Sequence, residues 1–491
     1  MNGAAYVLVV LGILLAKGLG FLRDIVFASV FGATSHTDIY FQVFGLVNLI
    51  FTGIGVALST LVIKNLNKAE NDTEEKKRAY VSGFIVKTSL IIIGVTALMY
   101  IFSKPIAMFL LPGLEKELIP LAVKLMYIML PSFLFVVVAY IISGVLQNNR
   151  VFFISSVMSL PFNVVIIASL FVKNVDIVTV GIVTTIGWFL HIAVQLPSFY
   201  KKGYSLVKHY KKNQSLKGNN TEILYIFISN MMFQICFMID KAFVSSESGA
   251  ATTINYASNL FVTISSVFVV AMSNVVFPSI SKNYEEGKID YVRDLIKYII
   301  TIMAAIFVPF IMTVCCFGKN IISLLYERGE FTSELTVSTA ILFAVYTLGA
   351  LGYICQELLN KVLYLDSKYN YTVIGTILVV GLKLIINFFL ADYGAVYVSL
   401  STTVLFILYG LAILYGLSRV VGKYFKGELL ANLFKILLSS LAAIAVYFIC
   451  RLLIGNMVED KIMFVIPLGI CGIVYIGMLF VSGILKKLIK R

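Results

Sequence analysis

Three charged side chains stand inside an apolar stretch near the start of the chain. Lys17, Arg23 and Asp24 lie among apolar residues, with Gly18 and Gly20 between them. The planar fork of an arginine guanidinium matches the oxygens of a phosphate, and Lys17 adds a second positive charge. The group predicts a cationic wall that binds phosphate in a wet cavity. The alternative is a local ion pair between Arg23 and Asp24 that only fixes packing.

A second set of polar side chains could hold a monovalent cation or exchange a proton. Asp240 and Lys241 lie late in one apolar stretch, and Lys383 and Asn387 share a helix face at i, i+4 in another. Thr403 follows in the next stretch and adds a hydroxyl oxygen. A carboxylate with amide and hydroxyl oxygens suits Na⁺ or a proton. The alternative is an ion pair of Asp240 with Lys241 or Lys383 that ties helices together.

Asp38 begins a further apolar stretch, where it serves either as a helix N-cap, alongside Thr37, or in transport. His36 just before it is predicted to lie in a short solvated loop. The chain has three histidines and no HExxH, DxD, GxSxG or phosphate-binding glycine motif, so we predict that it is not an enzyme. The six cysteines have no CxxC spacing, so no cofactor is predicted beyond Na⁺ or H⁺ coupling.

The elements that must position these side chains are membrane-spanning helices. Hydrophobic residues make up 60% of the 491 positions and charged residues 13%, against roughly 25% charged in a soluble domain. Apolar stretches of about 20 residues, enough to cross the hydrocarbon, recur along the chain. We predict an all-α membrane protein of about fourteen transmembrane helices, near residues 5–31, 37–63, 79–103, 118–146, 151–172, 176–199, 222–246, 252–280, 293–317, 335–361, 369–391, 394–418, 429–454 and 462–485.

The placement of positive charge predicts the topology. With the N-terminus inside, the inner loops hold 24 lysine and arginine residues and the outer loops hold 7. The positive-inside rule therefore places both termini in the cytoplasm and supports an even number of spans. Loops that face lipid headgroups account for the net charge of +14. Nucleic acid is not a predicted partner.

The chain contains an internal repeat. Residues 24–40 and 240–256 share Asp, Phe, Ser, Thr and Tyr at a constant offset of 216. Six predicted spans separate the copies, an even number, so the two halves would share one orientation about an axis along the membrane normal. We predict six-helix lobes at 1–217 and 218–425, followed by two additional helices at 426–491. Two such lobes suit a transporter with a central cavity.

The opening sequence also resembles that of a known family. Lys17-Gly-Leu-Gly-Phe-Leu-Arg23-Asp24, then Val30-Phe-Gly-Ala and Thr37-Asp38, is similar to the R-x-L-G-F-x-R-D, FGAG and TDAF opening of the MurJ (MviN) lipid II flippases. These belong to the multidrug/oligosaccharidyl-lipid/polysaccharide exporter superfamily. Segments 277–282 and 326–332 resemble further family segments. The resemblance implies a bacterial inner-membrane flippase that moves an undecaprenyl-pyrophosphate-linked saccharide, lipid II or a related precursor, by alternating access.

The resemblance also implies roles for particular residues. The two additional helices would form a groove for the lipid tail. The substrate-binding candidates are Lys17, Arg23, Asp24, Asp38 and Asn48. Some members place a sodium site approximately where Asp240, Asn387 and Thr403 lie. The chain departs from the family pattern where arginines are expected, at Lys17, Phe51-Thr52 and Ser258-Asn259, and has Lys383 where an asparagine is expected.

Other functions remain open at this stage. A flippase of the O-antigen or teichoic-acid type is the nearest alternative, and a cation-coupled drug exporter is the next. From a different class, a membrane enzyme acting on polyprenyl-linked sugars would need a catalytic acid or base on a sizeable outer loop, and the longest outer segments, 103–117 and 318–334, are short. The predicted partners are a lipid-linked glycan and membrane lipids, with the protein acting as a monomer.

Overall fold

The computed structural model describes residues 3–69, 72–210, 221–366, 369–455 and 460–489. The regular secondary structure of these residues is helical, mostly α with short 3-10 and π segments, which confirms the predicted all-α class. The chain forms two compact units, Met1–Asn255 and Tyr256–Arg491. The division into repeats at 217 and 425 stays a prediction. Of the 24 lysine and arginine residues predicted on the inner side, those at 211, 212, 217, 368, 490 and 491 lie outside the described residues.

The first unit contains eleven helices and the start of a twelfth. A π segment, Phe51–Gly55, joins α2 to α3, and a 3-10 turn, Lys116–Leu118, precedes α6. The helices are α1 Gly3–Phe31, α2 Ser35–Ile50, α3 Val56–Lys68, α4 Glu74–Ile101, α5 Ser103–Leu110, α6 Ile119–Met129, α7 Ser132–Asn148, α8 Phe152–Val157, α9 Leu160–Leu170, α10 Ile177–Lys201, α11 Thr221–Phe243 and α12 Ala250–Glu285.

The second unit begins within α12 and continues to the C-terminus. A π segment, Cys355–Leu359, joins α15 to α16, and a 3-10 turn, Ala391–Tyr393, precedes α18. The remaining helices are α13 Ile289–Tyr326, α14 Ser333–Leu348, α15 Ala350–Ile354, α16 Asn360–Leu365, α17 Tyr369–Leu390, α18 Ala395–Val420, α19 Glu428–Leu453, α20 Val465–Val481 and α21 Ile484–Ile489.

Each of the fourteen predicted spans falls on a helix or a run of consecutive helices. Within the described ranges, nine helices or helix runs are long and apolar enough to cross a membrane, or ten if the bent pair Ser333–Leu348 and Ala350–Leu365 is one span. Several predicted spans are broken. Residues 118–146 form α6 and α7, which meet at Pro131, and residues 151–172 form α8 and α9, with Pro161 in the first turn of α9. Both prolines stand at a helix start, where a residue without an N–H fits and where the proline ring clashes with the carbonyl of the preceding turn.

Local sequence explains where two helices begin. At the start of α2, Thr34 Oγ1 accepts the Thr37 N–H, and Thr37 Oγ1 accepts the Thr34 N–H at 2.8 Å, which is a capping box. At the start of α10, Asp176 Oδ1 accepts the Thr179 N–H at 2.8 Å. Hydrogen bonds from the Thr179 side chain and backbone favour the carboxylate, so the pKa of Asp176 is lowered from 3.8.

The exterior of the helices is apolar. Phe109, Leu452 and Val481 are 79%, 86% and 82% exposed, and many other large apolar side chains are exposed beside them. A soluble protein would present charged side chains at such positions, whereas lipid tails accept leucine and phenylalanine. Lipid is therefore the solvent that this surface fits.

Glycines allow two helices of the second unit to approach closely. A Cβ atom placed on Gly352 of α15 would lie 2.2 Å from the Phe406 carbonyl oxygen, and one on Gly410 of α18 would lie 2.7 Å from Gly352 Cα. Neither distance is physically allowed, so the contact requires glycine at both positions. Close backbone approach through small residues is how helices commonly associate in membranes.

Candidate functional site

Arg23 and Asp24 form an ion pair on α1. Arg23 Nη2 and Nε donate to Asp24 Oδ1 at 2.7 and 3.0 Å. The two side chains are 14% and 9% exposed, so the pair is shielded but still reaches the surface of the structure. The local pair foreseen as an alternative is thus present, and the guanidinium already has one carboxylate partner. A phosphate-binding role for Arg23 stays a prediction.

Two aromatic rings and an amide complete the surroundings of Arg23. The guanidinium carbon lies 5.5 Å from the centre of the Phe44 ring and 5.6 Å from that of Phe162, and Nη1 donates to Asn163 Oδ1 at 3.2 Å. Cation–π contacts of this kind hold a guanidinium without neutralising it. The Asn163 amide also donates to the Ala16 carbonyl at 3.4 Å. These contacts fix the orientation of Arg23 between α1, α2 and α9.

Lys17 and Asn48 are the less enclosed members of the predicted substrate-binding set. Lys17 is half-buried and lies six residues before Arg23, about 9 Å away along the axis of α1. Asn48 is half-buried near the end of α2, and its carbonyl accepts the Phe51 N–H where the π segment begins. A role for either residue in substrate binding stays a prediction.

Asp38 caps a helix other than its own. Thr34, rather than Thr37 or Asp38, is the N-cap of α2, so that part of the N-cap expectation is wrong. The Asp38 carboxylate instead accepts the Gly249 N–H, the Thr252 N–H and the Thr252 hydroxyl, each at 2.6 Å, at the start of α12. Gly249 has φ +82°, and a Cβ there would lie 2.6 Å from the Ala33 carbonyl oxygen, so only glycine fits this turn. The buried carboxylate thus ties α2 to α12.

Asp240 and Lys241 are both buried near the end of α11. Lys241 attracts Asp240 and Asp38 electrostatically, and its Nζ lies 3.4 Å from the Phe41 carbonyl oxygen and 3.5 Å from Asn255 Oδ1. Within the first unit Asp240 and Lys241 thus form a charged cluster with Asp38, the residue that joins α2 to the start of α12. The predicted pairing of Asp240 with Lys241 agrees with this arrangement.

Lys383 lies at the centre of a buried polar cluster in the second unit. Its Nζ donates to Ser401 Oγ at 2.6 Å, to the Val398 carbonyl at 2.8 Å and to Asn387 Oδ1 at 3.2 Å. Lys383 and Asn387 are 0% exposed and Ser401 is 4% exposed. The structure therefore brings the predicted Lys383 and Asn387 together on α17, and it adds Ser401 and Val398 from α18.

The oxygens of this cluster are engaged by Lys383 and by one another. Asn387 Oδ1 is shared by the Lys383 ammonium and the Ser401 hydroxyl, which lies 2.6 Å from it. Thr403 Oγ1 donates to the Val345 carbonyl at 2.6 Å. Asp240, the third residue of the predicted sodium site, belongs to the first unit. Over the described parts of the chain, no group of three or more His, Cys, Asp or Glu side chains is placed to hold a metal ion.

Sequence reasoning missed several residues around these charges. Phe44, Phe162 and Asn163 surround Arg23, and Thr252 and Ser401 complete the other two clusters. All are common in apolar helices, and Asn163 lies 140 residues from Arg23 along the chain. Only Thr252 had a usable signal, because it stands beside Thr253 of the internal repeat.

An apolar cavity lies between α13, α19 and α20 of the second unit. Its lining includes Pro309, Met312, Ala443, Leu468 and Tyr475. Tyr475 is fixed by a hydrogen bond from its hydroxyl to the Ala305 carbonyl at 2.6 Å. The two helices that follow the repeat thus shape an apolar surface together with α13.

Comparison with known sequences gives a consistent result. A profile of the family described as "Lipid II flippase MurJ" matches residues 27–466. A probable lipid II flippase MurJ of Buchnera aphidicola subsp. Acyrthosiphon pisum (strain APS) is 25% identical over 499 residues, covering 96% of this chain and 95% of the relative. The lipid II flippase MurJ of Thermosipho africanus (strain TCF52B) is 26% identical over 458 residues, covering 90% and 91%.

Solved structures agree with the sequence relatives. The inward closed conformation of a lipid II flippase MurJ superposes with a TM-score of 0.78 and 25% identity, covering 99% of this chain and 100% of that one. An inward-facing multidrug resistance MATE family transporter of the MOP superfamily superposes with a TM-score of 0.66 at 14% identity, covering 82% and 94%. The second likeness shows the fold alone.

The fold and the charges buried in its apolar helices define a polytopic membrane transporter of the architecture that MATE and MurJ structures share. Within that class the family is settled by the profile, which spans most of the chain. The chain belongs to the MurJ lipid II flippase family. The resemblance drawn from the opening motif is therefore confirmed.

Proposed function

We propose that this protein moves lipid II, or a related undecaprenyl-diphosphate-linked precursor of the cell wall or surface, across the bacterial cytoplasmic membrane. The observation that carries the proposal is the match to lipid II flippases along nearly the whole length of both chains, including the helices after residue 428. A protein that shared only the transporter core would not extend the likeness to these last helices.

The diphosphate of the substrate would bind at α1. The Arg23 guanidinium is held by two rings and an amide, and its carboxylate partner is the adjacent Asp24. A diphosphate carries more negative charge than Asp24 and matches the same N–H fork, so it competes for Nη2 or shares it. Lys17 would supply the second positive charge. Alternating access would then carry the headgroup across, with the membrane potential acting on any net charge that moves.

The hydrocarbon tail of the substrate would lie against the apolar cavity of α13, α19 and α20. Its lining residues Met312, Ala443 and Leu468 offer no charge, which suits a polyprenyl chain. We further propose that both termini lie in the cytoplasm, that the protein acts as a monomer, and that it moves the substrate without altering it chemically. Nucleic acid has no place in this function.

A drug exporter and an O-antigen or teichoic-acid flippase are less well supported. The likeness to MATE transporters is at 14% identity and concerns the fold only. On α1 the Arg23 guanidinium lies against two aromatic rings, so the site presents a positive charge. A positive charge attracts an anionic substrate and repels a cationic drug.

Reconstitution tests the proposal directly. Purified protein is placed in liposomes containing lipid II, and transport is scored as accessibility of the headgroup to an external probe. We expect the headgroup to become accessible faster than in liposomes without the protein. In Arg23→Ala this rate should fall about ten-fold or more, because the charged guanidinium that donates hydrogen bonds to the diphosphate is removed. Lys104→Ala, which removes an exposed positive charge from the same unit, is the matched control and retains transport. Failure of the wild type with every diphosphate-linked lipid would overturn the proposal.

A further inference from the structure

The Lys383 cluster is built for a monovalent positive charge. Ser401 Oγ lies 2.6 Å from Asn387 Oδ1 and 2.7 Å from the Val398 carbonyl oxygen. Both of those atoms only accept hydrogen bonds, so the hydroxyl donates to one of them and its oxygen accepts from Lys383. Nζ therefore faces three acceptors, at 2.6, 2.8 and 3.2 Å. An ammonium has three N–H donors for them, whereas a neutral amine has two.

The three acceptors are a backbone carbonyl, a side-chain amide and a hydroxyl. These are the hard oxygen ligands that a hard cation takes in proteins. We propose that the Lys383 ammonium is a built-in substitute for a coupling cation, so that this transporter binds no Na⁺ at the α17–α18 cluster. The side chain is fully buried, and its ammonium occupies the point on which the three oxygens converge.

This assignment has a consequence for energy coupling. A bound ion can leave on the other side of the membrane and release the energy of its gradient, but a covalently attached ammonium stays with the protein. A sodium gradient therefore supplies no energy at this position. The inference deepens the proposed function, and its binding test does not depend on flipping.

The test uses Na⁺ alone as the probe, on the full-length protein in detergent. Thermal unfolding and ²²Na⁺ binding are measured in NaCl and in choline chloride at equal ionic strength, for the wild type, Lys383→Asn and Lys383→Met. Asparagine is shorter and adds an amide oxygen, so it opens the cluster to an ion. Methionine matches the length of lysine without its charge or a hard ligand, and is the matched control.

We expect no saturable ²²Na⁺ binding and no Na⁺-dependent shift in Tm for the wild type or Lys383→Met. Lys383→Asn should bind ²²Na⁺ and gain a saturable rise in Tm of about 2 °C or more. Saturable Na⁺ binding by the wild type would overturn the proposal, and this measurement needs no variant to fold. A folded Lys383→Asn that ignores Na⁺ would overturn the claim that these oxygens form a cation site. If the wild type showed no Na⁺ binding but also failed to flip the lipid in liposomes, the result would count against the proposed function and not against this inference.

Discussion

Two positive charges in apolar helices, Arg23 in the first unit and Lys383 in the second, are held in different ways. Arg23 has a carboxylate, an amide oxygen and two aromatic faces, and its side chain is 14% exposed. Lys383 is 0% exposed and donates to three oxygens of uncharged groups. The proposed exchange of a partner with an arriving anion requires access to Arg23, and its side chain reaches the surface of the structure. Lys383 offers no such access, because its partners enclose it.

The comparison shows that a charge in a membrane helix does not by itself indicate a ligand site. Charges are costly in hydrocarbon and therefore need a reason to persist. Lys383 is held by three acceptor oxygens that join α17 to α18. Arg23 is held by an ion pair with Asp24 that reaches the surface of the structure. Exposure separates the two cases, and it cannot be read from the residue type.

Lys383→Met gives the largest expected change in stability. It removes the ammonium that donates to the Asn387, Val398 and Ser401 oxygens in a buried site, at a cost of about 4 kcal/mol in the free energy of unfolding. Thermal unfolding in detergent measures the loss. Lys423→Met, an exposed lysine of the same unit, should leave Tm unchanged. Equal Tm values for the two variants would contradict the claim that the buried Lys383 ammonium stabilises the fold through its enclosing contacts.

Asp38→Ala is expected to have a smaller effect. It removes three hydrogen bonds to the start of α12, at a cost of about 2 kcal/mol, because the freed N–H groups of Gly249 and Thr252 recover some bonding locally. Asp38→Asn keeps one acceptor oxygen and should fall between the wild type and Asp38→Ala in thermal unfolding. If Asp38→Asn were as unstable as Asp38→Ala, the negative charge rather than the hydrogen bonds would hold the tie.

Asp176→Ala is the smallest of the three, since this cap at the start of α10 is exposed to water. An N-cap of this kind contributes about 0.5 kcal/mol at an exposed site. The pKa of Asp176 is lowered from 3.8 in the folded state. The contribution of the carboxylate charge is therefore complete above about pH 4 and is lost as the pH falls through the folded value. The difference in Tm between the wild type and Asp176→Ala should be larger at pH 7 than in strong acid, where the protonated carboxyl offers only a neutral acceptor oxygen. A difference that does not change with pH would contradict the role of the carboxylate in the cap.

Much of the fold follows from the sequence because the length of an apolar stretch reports directly on a membrane-spanning helix. The positions of the fourteen predicted spans agree with the helices. The spans could be counted from the sequence without knowledge of how the helices pack. The breaks at Pro131 and in the π segment Phe51–Gly55 were missed. An apolar run reads as continuous, whereas the helix within it bends wherever a backbone hydrogen bond is lost.

The site was less accessible to sequence reasoning. Lys17, Arg23 and Asp24 stand out because charges are rare in such a stretch, and Lys383 and Asn387 because of their i, i+4 spacing. Their partners Phe162 and Ser401 carry no such signal, since apolar and hydroxyl residues fill every membrane helix, and Asn163 lies 140 residues from Arg23 along the chain. Which partner meets which charge is decided by helix packing, and packing is set by the whole chain.

Binding of undecaprenyl diphosphate to the purified protein tests the central claim most directly, since it isolates the diphosphate from the glycan and from the transport cycle. Native mass spectrometry across a concentration series gives the affinity of the wild type, of Arg23→Ala and of the control Lys104→Ala. We predict that Arg23→Ala binds about ten-fold or more weakly than the wild type while Lys104→Ala binds equally well. Equal affinity of Arg23→Ala and the wild type would contradict it.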